Sequence, residues 1–179
     1  SAGFNSLAQG NNSISLGTNT RALADDAFAT GFQANASNVS AFAIGTNTTS
    51  SGENSIAFGT SAAASNLNAY AIGVDTFASG VNSLALGTSA QATNLDSYAF
   101  GVQSFANAAN SSAIGTLAKA TGSNSFAVGL QANASNTNSL AFGVASSSSG
   151  IASTSIGTSA TASNDCLLYT SDAADDRIC

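Results

Sequence analysis

The side chains able to do chemistry are few, and they stand apart. Asp25 and Asp26 are adjacent, Glu53, Asp75 and Asp96 fall singly along the chain, and the only cations are Arg21, Lys119 and Arg177. There is no His, and both cysteines, Cys166 and Cys179, lie in the terminal stretch. Acid–base and nucleophilic catalysis need a titratable group within hydrogen-bond reach of a partner. No such constellation is offered, so the chain reads as a non-enzyme that calls for no cofactor. The Asp25–Asp26 pair is the one candidate for a cation. Calcium takes about six to eight oxygens, and two neighbouring carboxylates fall far short, so the pair reads as a solvated corner. Asp26 and Asp96 stand where most turns have Asn, which suggests side-chain-to-backbone turn bonding.

The elements that carry these residues are set by a repeat. Glycine recurs every fourteen residues from Gly3 through Gly17, Gly31, Gly45 and onward to Gly157, and the other five, Gly10, Gly52, Gly80, Gly122 and Gly150, each follow one of these by seven. Most remaining half-period positions hold Asn38, Asn66, Asn94, Asn136 or Asn164. Gly and Asn accept a left-handed backbone most readily, so each unit is expected to be two short strands with two corners, one just after the main glycine and one at the half-period Gly or Asn. Apolar residues alternate with period two and not 3.6, which excludes a helical repeat.

Composition agrees with an ordered solenoid. The chain is 44% hydrophobic yet only 7% charged, with no Pro, Met or Trp. Such low charge in a chain rich in Ala, Ser, Asn, Thr and Gly would suit a disordered tract, but evenly spaced Ile, Leu, Val, Phe and Tyr argue for order. A net charge of −6 disfavours a nucleic-acid partner, because phosphates need neutralising cations. No apolar run is long enough to span a bilayer, so no direct membrane insertion by this fragment is expected.

The alternation assigns faces. One and three residues before each main glycine the side chains are large, as in Ile56/Phe58, Leu84/Leu86 and Leu140/Phe142, and these are expected to fill the interior. Three and five residues after it they are small, as in Ala62/Ala64 and Ala118/Ala120, and are expected to face the large ones across a narrow core. Two residues before the glycine stand Ala43, Ala57, Ala71, Ala85, Ala99, Ala113, Ala127 and Ala141, with Ala or Ser two residues earlier still. No Lys, Glu or Arg occurs on this face in any turn, so these eight alanines are the candidate subunit interface. A face kept small by crowding within one chain is the alternative. Ser112, Thr154 and Thr30 replace large residues and are expected to be packing defects. Four residues after the glycine the side chains vary as a solvated surface does. Phe77 and Phe105 fall there two turns apart and form a possible surface contact patch. Stacked at about 4.8 Å per turn, the repeats make a rod about 55 Å long.

The units Asn54-Ser-Ile-Ala-Phe-Gly59, Asn82-Ser-Leu-Ala-Leu-Gly87, Asn124-Ser-Phe-Ala-Val-Gly129 and Asn138-Ser-Leu-Ala-Phe-Gly143 closely resemble the YadA-like head repeats of trimeric autotransporter adhesins, and the resemblance covers residues 1–165. It implies an all-β, left-handed parallel β-roll of 14-residue repeats assembled as a homotrimer. It further implies a bacterial cell-surface location, anchoring to the outer membrane through a C-terminal domain outside these residues, a role in virulence, and attachment to an extracellular matrix protein or a host or abiotic surface. Residues 166–179, beginning Cys-Leu-Leu-Tyr-Thr-Ser, instead resemble a translated sequencing adapter and are expected to be a non-native tail. Two other functions fit the same repeats. One is a trimeric phage tail-fibre shaft or other structural spacer. The other is an ice-binding solenoid built on Thr18, Thr46, Thr60, Thr88, Thr116 and Thr158, but Phe32, Val74, Val102, Leu130 and Val144 interrupt that ladder.

Overall fold

The computed structural model describes residues 1–166 and 168–170, and these form a β-solenoid of two parallel twelve-stranded sheets, with no helix among them. One sheet is made of two-residue strands, Leu7–Ala8 through Thr161–Ala162. The other is made of longer strands, Ile14–Thr18 through Leu168–Thr170. Every strand pairs with the one fourteen residues away, so like stacks on like: Ala57 on Ala71, Ala71 on Ala85, Gly59 on Gly73. The fourteen-residue period of the sequence is thus one turn of the coil.

Two positions per turn take a left-handed backbone, and they are not the half-period glycines. The residue five before each main glycine does so (Asn54, Asn68 and Asn82 at φ 53–55°), as does the residue two after it (Ser61 and Asp75 at φ 54–55°). Gly52 and Gly80, expected at a left-handed corner, lie two residues short of it. They are needed for contact, because a Cβ on Gly52 would sit 1.9 Å from the Asn66 carbonyl oxygen of the next turn. Where Asn occupies this position its side chain ties the corner instead. Asn66 Oδ1 accepts the Leu67 N–H at 3.1 Å while its Nδ2 donates to the Ser79 carbonyl at 3.3 Å. The main glycines lie at φ 117–139°, a region open only to Gly.

The interior overturns the expected faces. Ala43, Ala57, Ala71, Ala85, Ala99, Ala113, Ala127 and Ala141 are wholly buried within the single chain, together with the alanines three and five residues after the glycine such as Ala62, Ala64, Ala118 and Ala120. The bulkiest wholly buried side chains are Thr20, Thr48 and Thr76. Large residues do not line the core at all: Phe58 and Phe142 are 50% exposed, and Ile56, Leu84 and Leu140 are half-exposed. The two strands of a turn lie so close that hydroxyls meet between the sheets, Ser15 Oγ with Thr20 Oγ1 at 2.8 Å and Ser50 Oγ with Ser55 Oγ at 2.6 Å. Only methyls and hydroxyls fit that gap. Ser112, Thr154 and Thr30 are therefore gaps in an outer surface rather than defects in a core.

The serines of the buried face also close the corner before them. Ser55 Oγ donates to the Gly52 carbonyl at 2.6 Å, Ser83 Oγ to Gly80 at 2.7 Å, and Ser97 Oγ to Asn94 at 2.6 Å. This is a local side-chain-to-backbone bond that satisfies a carbonyl the sheets cannot reach. The other corner changes along the rod. The longer strands run five residues as far as Tyr70–Val74 and three from Leu84–Leu86 onward. From there the N–H three after the glycine turns back onto the glycine carbonyl, as in Ala90 to Gly87 at 3.3 Å and Ala118 to Gly115 at 3.2 Å. The switch falls just after Thr76, the last threonine at that position.

At the end of the coil, Leu168–Thr170 adds to Thr154–Ile156 in the same fourteen-residue register. Tyr169 stands opposite Ser155, at a position that is small in every complete turn, and all three residues are exposed. An open strand edge accepts any extended backbone, so this pairing needs no repeat sequence. The rest of the expected non-native tail lies outside the described residues.

Candidate functional site

Glu53, Asp75 and Asp96 are carried on different turns, and no group of three or more His, Cys, Asp or Glu comes together among the described residues. Asp25 and Asp26 are exposed at a corner and already engaged: Asp25 Oδ1 accepts the Asn11 N–H at 2.8 Å, and Asp26 Oδ1 accepts from Asn12 Nδ2 at 3.2 Å. Asp96 Oδ1 likewise accepts from Asn82 Nδ2 at 3.0 Å. The expected local turn bonding at Asp26 and Asp96 is thus replaced by a side-chain ladder running from turn to turn, continued by Asn68 to Asn82 at 2.9 Å and Asn110 to Asn124 at 3.0 Å. No helix among the described residues is long and apolar enough to cross a membrane. What the molecule offers to a partner is therefore its two outer faces.

The outer face of the longer-strand sheet is apolar along most of the rod, interrupted at Thr30, Ser112 and Thr154. Three columns stand on it, at three and one residues before each main glycine and one after. Turns along the rod bring Ile14, Leu16; Phe42, Ile44; Ile56, Phe58; Tyr70, Ile72, Val74; Tyr98, Phe100; and Phe126, Val128 onto one surface in parallel register, with Val102 and Leu130 at the turns that follow. Within a column neighbours touch, as do the Phe28 and Phe42 rings, stacked at 5.9 Å between centroids. A soluble monomer rarely exposes an apolar patch larger than a few hundred Å². This surface spans eleven turns, or about 50 Å at the inter-strand step. Its outermost column alternates Thr with Phe32, Val74, Val102, Leu130 and Val144, the last four 44–46% exposed, so it is no flat threonine array.

The outer face of the short-strand sheet is polar. Residues four after the glycine form its central column, where Arg21, Thr49, Gln91 and Lys119 are exposed and Asn35 is half-buried. Phe77, 48% exposed, and Phe105, half-buried, share this column with Gln91 between them. A groove of about 290 Å³ lies beside it, lined by Leu117, Lys119, Gln131 and Asn133. The groove was not legible in the sequence. Its signal is Leu117, a branched apolar residue at a corner position that elsewhere holds Asn, Asp, Ser or Gln in nearly every turn and is held at φ 60°.

The eight alanines read from the sequence as an interface are thus inside the chain, and the exposed apolar surface is the one made by their strand neighbours. Fold and family agree. The family model for the YadA head domain repeat (2 copies) matches residues 3–34, 36–62, 64–91, 92–118 and 120–146. Each matched segment spans about two turns of the coil. No curated protein matches the chain. With these matches covering most of its length in register with its turns, the chain belongs to the YadA head repeat family.

Proposed function

We propose that the chain is the head of a trimeric autotransporter adhesin, displayed on the bacterial surface, where three copies pack side by side through the apolar outer faces of their longer-strand sheets. The rod then attaches to host matrix, cells or another surface through what remains exposed, and does no catalysis. The observation that carries this reading is the apolar face itself, which runs over eleven turns with only Thr30, Ser112 and Thr154 interrupting its two strand columns. Burying a large apolar side chain fully contributes roughly 1.5–3 kcal/mol, and this face holds two or three such residues in most turns. The core of one chain has only methyl and hydroxyl groups to bury, so stacking and association must supply the remaining stability. A closed cyclic assembly covers one such face per subunit without leaving an open end, and the number three follows the family.

The test is a double substitution, Phe58→Lys with Phe142→Lys, which puts two desolvated cations into the proposed interface. The variant should lose self-association, and its adhesion to immobilised matrix proteins should fall with it. Retention of both by the variant would contradict the reading.

A further inference from the structure

In a repeat protein a binding site is made by local departures from the repeat, and three departures on the short-strand face fall together. Phe77 and Phe105 are the aromatic residues of the central column, Lys119 is its neighbour on the next strand, and Leu117 holds a branched side chain at positive φ beside the groove. The face lies across the coil from the apolar wall, so it stays open to solvent in a ring that closes through the wall alone.

We propose that this strip binds a linear oligosaccharide carrying one acidic sugar, with pyranose rings on Phe77 and Phe105 and the acidic group at Lys119. The strand register fixes the spacing. Phe77 pairs with Gln91, Gln91 with Phe105, and Phe105 with Lys119. At about 4.8 Å per strand the two rings stand about 9.6 Å apart, with Lys119 one step beyond. Two strand steps match the rise of a disaccharide in an extended chain, so alternate sugars meet alternate strands. A phenyl face suits the C–H face of a pyranose. The exposed Gln91 lies between the two rings and can donate to and accept from ring hydroxyls. Gln131 and Asn133 offer the same chemistry in the groove next to Lys119.

The charges select the class. Lys119 is flanked in its column by Phe105 and Asn133, and beside it in its own turn by Leu117 and Thr121, none of them acidic. Asp75 lies at the other end, two residues before Phe77, and a carboxylate there accepts sugar hydroxyls but repels anions. One cation on a chain of net charge −6 thus fits a sparsely charged glycan and not a densely sulfated one. This names a ligand class for the adhesive reading above and rests on it only for its biological sense.

The test is titration of the intact chain with sialyllacto-N-tetraose, with the same glycan after desialylation, and with heparin. The sialylated glycan should bind, and Phe77→Ala with Phe105→Ala should weaken it at least about tenfold, the equivalent of about 1.4 kcal/mol. Lys119→Gln should weaken the sialylated glycan about fivefold, remove the salt dependence of its binding, and leave the desialylated one unchanged. Circular dichroism and molar mass should match the parent in both variants, since these side chains point away from both core and wall. Variants that bind like the parent, or a parent that prefers heparin or binds no glycan at millimolar concentration, would overturn the proposal. None of those results touches the self-association test, so the two readings fail separately.

Discussion

Gly59 shows how much a single residue decides in this coil. Its φ of +135° is closed to other residues, and an added Cβ would fall 2.0 Å from the carbonyl oxygen of Gly73 in the next turn. Gly59→Ala should therefore cost at least about 3 kcal/mol, combining strain and steric displacement, visible as a large drop in the thermal unfolding midpoint. The main glycines were legible in the sequence because only their unbroken period carries that demand. The left-handed corner residues were not. Asn at Asn54 or Asn82 suits a left-handed backbone and a side-chain ladder equally well, and Leu117, Ala145 and Ala152 hold the same conformation with no compositional mark at all.

At the scale of the strand, alternation announces two faces without saying which is inward. The longer strands carry large residues on one side and Ala or Ser on the other, and the ordinary expectation puts the large ones inside. Here the partner strand of the same turn comes too near. Serine hydroxyls span the gap, so the small face is the core and the large face is left outside. A signal was present in the sequence: neither face of these strands carries Lys, Arg or Glu, as expected of parallel strands covered on both sides. Overpacking the core and trimming the wall should then act differently. Ala99→Leu, at a wholly buried position, should destabilise the fold by about 3 kcal/mol, read by chemical denaturation of the chain. Phe142→Ala, at a half-exposed position on the wall, should leave the circular dichroism spectrum intact and show its effect as a weaker self-association constant.

The whole molecule is a stack in which each turn touches only its neighbours. Removing residues 60–87, two complete turns, would join Gly59 to Thr88 and restore every register pair beyond the cut. The shortened rod should fold, associate like the parent and lose about 10 Å of length, as small-angle scattering can read; collapse of the fold would mean that distant turns depend on one another. The same deletion removes Phe77 and should weaken glycan binding. Stability of such a stack rises with each added turn and each covered face. The measurement that bears most directly on the account is the molar mass of the chain in solution, by sedimentation equilibrium over a range of concentrations under reducing conditions, because Cys166 is exposed. A mass three times that of the single 17.4 kDa chain is the predicted result, with the apolar wall as the buried surface. A well-folded monomer at every concentration would contradict it, since that wall would then stand open to water along the full length of the rod.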